Sequence, residues 1–182
     1  MRFAAHEQLA LPCRLEAVVP GRQHADGRRY LPQLVLRTDA ELWPASSAAP
    51  PSLVVVDRHH RVDLAGVGRV GIARLVCLLG PLTLDAAAAP GFYAEPGAAA
   101  QSTTPLTVGV VERVVSWERS GAPLPFERLY AELVLRLGAA TVGVRTTITA
   151  DSIEAHLGSA VIAPGQLAGI RRPRIDILEF LA

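Results

Sequence analysis

Residues Arg29 to Arg37 read RYLPQLVLR and residues Arg128 to Arg136 read RLYAELVLR, so the two segments share a leading arginine and a closing LVLR without a gap. Period-two alternation is the side-chain repeat of a β-strand. It puts Tyr30, Pro32, Leu34 and Leu36 on one face of the first segment, and Leu129, Ala131, Leu133 and Leu135 on the matching face of the second. The opposite face carries Arg29, Leu31, Gln33, Val35 and Arg37, and in the second segment Arg128, Tyr130, Glu132, Val134 and Arg136. An apolar inner face and an arginine-rimmed outer face recur, which predicts two similar β units.

The rest of the chain supplies further strands. In the first half they are expected at residues 9–20, 53–57, 61–64 and 67–84, the last broken by glycines and by Gly80-Pro81. Asp26-Gly27 marks a turn, and Arg58-His59-His60 the tip of a hairpin. Residues 86–105 are rich in Ala, Gly and Pro and read as a linker into which Phe92-Tyr93 is inserted to dock on a neighbour. Strands resume at 106–119, 128–136 and 141–150. A short helix from Asp151 to Gly158, with acceptors and acids at its start, precedes strands at 159–170 and 174–181. The predicted division is residues 1–85, a linker at 86–105, and residues 106–182.

Three strands, a short helix and two more strands is an order that resembles the OB-fold, a five-stranded barrel that binds oligonucleotides on its second and third strands. The fold class expected is therefore mainly β, with two OB-like five-stranded barrels in tandem. Such a pair is similar to the tandem single-stranded-DNA-binding proteins of some bacteria, and an OB domain without a tail is similar to the primosomal replication proteins. The chain departs from the former at IDILEFLA, an apolar strand where those proteins carry an acidic tail.

Composition narrows the chemistry. At 182 residues, half of them hydrophobic, the chain has ample core material, and a net charge of +1 gives no global field for a polyanion. Any nucleic-acid binding must come from a local patch. All 18 basic residues are arginine, each a planar bidentate donor. Cys13 and Cys77 lie in apolar runs and read as buried thiols. The opening MRFAAHEQLALPC forms no signal-peptide core and no run suits a bilayer span, so a cytoplasmic location without membrane contact is expected.

Gly66, Gly68 and Gly71 match GxGxxG, but only eight residues separate Gly71 from Gly80, too few for the crossover helix of a dinucleotide fold. The glycines are read as bends in a barrel strand, and no cofactor is expected. Asp57, His59, His60 and Asp63 are metal-ligand types, yet strand alternation sends adjacent histidines to opposite faces, so no metal site is expected. With no nucleophile or paired-carboxylate constellation, no catalytic residue is assigned and the chain is not expected to be an enzyme.

The remaining signal is arginine with aromatics, since guanidinium groups neutralise phosphates and exposed rings stack on bases. The expected nucleic-acid-binding residues are Arg22, Arg28, Arg29, Arg37 and Trp43 in the first half. In the second they are Arg113, Trp117, Arg119, Arg128, Tyr130, Arg136 and Arg145. The function expected is non-catalytic binding of single-stranded DNA or RNA, DNA being preferred. The alternative is an adaptor that binds other proteins or a second copy of the chain through its sheets.

Overall fold

The structure, a computed structural model, describes residues 3–27, 29–45, 50–62, 64–84, 88–98, 100–116, 131–146 and 162–182. The expected helix after Asp151 lies outside them. The chain is mainly β, with strands β1 (Leu11–Val19), β2 (Arg22–Gln23), β3 (Arg29–Tyr30), β4 (Gln33–Thr38), β5 (Ser52–Val56), β6 (Val70–Leu78) and β7 (Leu82–Leu84) in the first half. They are followed by β8 (Gly91–Tyr93), β9 (Gln101–Ser102), β10 (Leu106–Ser116), β11 (Ala131–Leu137), β12 (Ala140–Arg145), β13 (Leu167–Ile170) and β14 (Arg174–Leu181). Among the described residues no helix is long and apolar enough to cross a membrane.

One five-stranded barrel closes. β1 pairs antiparallel with β4 and β6, β4 with β5, and β6 with β14, while β5 and β14 run parallel. Its fifth strand comes from the far end of the chain. The sheet then continues from β6 through β12, β11, β10 and β13 to β7, so strands from the two halves interleave. The stretch expected as a plain linker also contributes: β8 pairs with β10 and β9 with β5.

The inner faces follow the expected alternation. Leu34, Leu36, Leu133 and Leu135 are fully buried in one core with Leu75, Cys77, Ile175 and Ile177. The later part of β6 is buried on both faces, with Ala73, Leu75 and Cys77 in that core and Val76 and Leu78 in a second apolar cluster. That accounts for the nearly unbroken apolar run in its sequence. Both thiols are buried, and desolvation pushes Cys13 and Cys77 up to about 12, so neither is nucleophilic at neutral pH.

The two LVLR segments occupy matching registers. Leu34 faces Val18 and Val55, while Leu133 faces Val114 and Val144. A β-bulge interrupts each facing strand at the same place, between Leu15 and Ala17 in β1 and between Val111 and Arg113 in β10.

Several expectations need correction. The nine-residue strand starting at Arg29 is split, because Leu31 adopts φ 51 ahead of Pro32, and Arg29 and Tyr30 belong to a separate hairpin with β2. Tyr30 therefore stands 42% exposed and off the inner face. No strand forms at 61–62, because the buried Asp57 carboxylate accepts the Arg61 and Val62 backbone N–H groups, at 3.0 and 2.9 Å, that a strand would use. The GxGxxG motif leads into strand β6, and a Cβ at Gly71 would lie 2.3 Å from the Leu181 carbonyl oxygen. That glycine permits close passage of β14.

Glu95 ties the stretch between β8 and β10 together. Its Oε1 accepts the Thr103 N–H at 2.8 Å and the Thr103 hydroxyl at 3.0 Å, and its Oε2 accepts the Ser102 hydroxyl. Burial pushes the carboxyl up, but these hydrogen bonds outweigh it and hold it down to about 2, against an ordinary 4.5. A depressed carboxylate stabilises the fold above its unfolded pKa and loses that contribution as pH falls toward 2. Glu95→Gln is accordingly expected to lose about 1–2 kcal/mol at pH 7. Urea titrations of wild type and variant should converge near pH 2, and a gap independent of pH would refute the assignment.

Candidate nucleic-acid interface

The hairpin β2–β3 grows out of the connection between β1 and β4. Asp26-Gly27 supplies the expected turn, with Gly27 at φ 79. Arg22 and Arg29 are exposed, and Arg29 Nη1 donates to the Gly21 carbonyl at 3.2 Å. Tyr30 meets His24 edge to face at a centroid distance of 4.3 Å and donates from its hydroxyl to Asp26 Oδ2 at 2.9 Å. Beside these rings opens a pocket of about 500 Å³ lined by Arg22, His24, Tyr30, Leu31 and Gln33. One cation and two rings thus line one open concavity, and Arg29 stands on the same hairpin.

Elsewhere several arginines are engaged by carboxylates. Arg37 and Arg136, which close the two LVLR segments, are each held by the glutamate at the bulge of the facing strand, Glu16 at 3.0 Å and Glu112 at 2.7 Å. A hydrogen bond from Ser52, opposed by partial burial and helped by Arg37, holds the Glu16 carboxyl below the usual carboxylate range. Arg145 donates through Nε to Glu132 Oε1 at 3.0 Å, and Glu132 is fully buried. Arg113 is exposed on β10.

Trp43 is not a stacking platform. It is 2% exposed, packs on Phe92 at 5.4 Å, and donates from Nε1 to Thr38 Oγ1 at 2.9 Å. An indole with its N–H satisfied internally and its rings in the core has no face for a base. Arg28, Trp117, Arg119, Arg128 and Tyr130 lie outside the described residues. Of the expected set the structure brings together Arg22 and Arg29, and it adds Tyr30 and His24, which sequence reasoning missed. The clue was available in the Leu31-Pro32 pair, which breaks the strand and frees Tyr30 from the inner face.

Among the described residues no group of three His, Cys, Asp or Glu side chains is placed to hold a metal ion. Asp57 spends both carboxylate oxygens on backbone N–H groups, and His60 sits in the turn at φ 50. Comparison of the chain with known protein families, with curated proteins and with solved structures finds no match.

Proposed function

We propose that this chain is a non-catalytic, OB-like module that binds single-stranded nucleic acid, preferentially DNA, at the β2–β3 hairpin. The observation that carries the reading is that Arg22, Tyr30 and His24 line one open pocket, with Arg29 beside them on the same hairpin. Guanidinium groups would take phosphates while Tyr30 stacks on an unpaired base.

The reading extends to a tandem pair of barrels whose fifth strands are exchanged. It is supported by equivalent pairings in the second half: β10 pairs with β11 and β13, β12 runs parallel to β6, and β7 runs antiparallel to β13. β6 and β7, separated by Leu79 at φ 62, would act there as one bent strand.

Titration of a fluorescent oligo-dT at two salt concentrations tests the function. Affinity is expected to fall steeply with salt, and Arg22→Ala and Arg29→Ala, made singly, should each flatten the slope by about 0.7, the loss of one phosphate contact on a single strand. Tyr30→Ala should cost about 1–3 kcal/mol with the slope nearly unchanged. Absence of binding at low salt would leave the rival reading, a module that binds proteins or its own copies. That reading draws on Val70 and Leu79, which are 64% and 65% exposed, and its affinity would barely respond to salt.

A further inference from the structure

The outer face of β11 and β12 is the surface of the second half that corresponds to an oligonucleotide-binding face, and the chain's own residues 3–9 lie across it. Phe3, Ala5 and Leu9 form with Val76, Leu78, Val134 and Leu178 an apolar cluster distinct from the main core. The Phe3 ring rests on Gly143, in the middle of β12, where a Cβ would lie 2.7 Å from Phe3 Cζ and 3.2 Å from Leu9 Cδ1. A glycine inside a strand weakens it and often marks a close approach. Here the absent side chain makes a flat socket for a ring.

Polar contacts fix the segment over that socket. The Ala4 N–H donates to Glu132 Oε2 at 2.6 Å, on the carboxylate that also holds Arg145. Ala10 and Thr141 exchange backbone hydrogen bonds at 3.1 and 2.8 Å, and the Thr141 hydroxyl donates to the Gln8 carbonyl at 2.6 Å. At the rim Arg74 Nη1 stands 3.1 Å from Glu7 and 3.2 Å from Glu179. The ring socket, a buried acceptor and an ionic rim together hold one short segment.

We propose that residues 3–9 plug a second face for single-stranded nucleic acid, and that the Phe3 ring occupies the place of an unpaired base. The proposal rests on the reading of the chain as a single-strand binder. With the segment displaced, Gly143 and its apolar surround offer a stacking surface for a base, and Arg74, whose Glu7 partner leaves with the segment, stands at its rim. In the closed state binding falls to the β2–β3 hairpin alone, so the two halves are functionally unequal.

Four proteins decide the matter by titration with fluorescent oligo-dT at low salt: wild type, Phe3→Ala, Arg22→Ala/Arg29→Ala, and the triple variant. Wild type is expected to bind, the hairpin variant to be silent, and the triple variant to bind again within roughly tenfold of wild type, on the scale of one stacked base. A triple variant as silent as the hairpin variant, beside a wild type that binds, would overturn the plug and leave the hairpin reading standing. Binding by Phe3→Ala with a silent wild type would keep the plug and discard the hairpin as the site. Silence from all four would overturn both. Leu9→Ala, which loosens the segment over Gly143 and leaves the strand untouched, replaces Phe3→Ala should that variant not fold, with the same gain expected.

Discussion

A chain that stops at Pro173 is expected to lose its cooperative unfolding transition. β14 pairs with β6 from Arg174 opposite Leu78 to Leu181 opposite Ile72, and it closes the barrel against β5. Ile175 and Ile177 are 1% exposed in the main core, and Leu178, turned outward by the bulge after Ile177, is 2% exposed in the second cluster. Each such side chain stabilises by about 1.5–3 kcal/mol, so their loss approaches the net stability of a domain, about 5–15 kcal/mol. The buried Asp176 adds ion pairs to Arg174 at 2.7 Å and to Arg58 at 3.5 Å, the latter reaching back into the first half. Residues 1–85 alone should fail for the same reason. Thermal melting followed by circular dichroism checks this, and a truncated chain that melts cooperatively near the full-length temperature would refute the placement of β14.

That strand also shows where sequence reading stops. The inner positions Leu34, Leu36, Leu133 and Leu135 were legible because alternation is a local property, and each pair landed in a matching register. The break at Gly80-Pro81 and the turn at Asp26-Gly27 were legible for the same reason. Which half of the chain receives β14 was not, since IDIL satisfies an apolar inner face in either half and strand pairing across the chain leaves no local mark. The bulge glutamates could have been found: LEAVV at 15–19 and VERVV at 111–115 repeat alongside the LVLR pair. Recognising them would have placed Arg37 and Arg136 in ion pairs with Glu16 and Glu112. Trp43 was opaque, because a lone tryptophan beside a polar stretch gives no sign of Thr38 as its partner.

Replacing Glu132 by leucine is expected to cost about 3–5 kcal/mol, because it strands a charge within the fold. Glu132 has no exposed surface, and the Arg145 side chain that it binds is 19% exposed. The same carboxylate accepts the Ala4 N–H at 2.6 Å, so the variant also leaves that donor unpaired and loosens residues 3–9 over Gly143. Arg145→Met alone should be comparably costly, since it leaves the carboxylate buried with its strongest partner gone. Glu132→Leu combined with Arg145→Met should lose far less than the two single changes together, because an apolar pair of similar volume removes both desolvation penalties at once. Urea denaturation of the four proteins gives the coupling directly as a double-mutant cycle. A coupling near zero would mean that the pair is screened by water despite its burial, and the clamp that Glu132 forms between β11, β12 and the N-terminal segment would contribute nothing to stability.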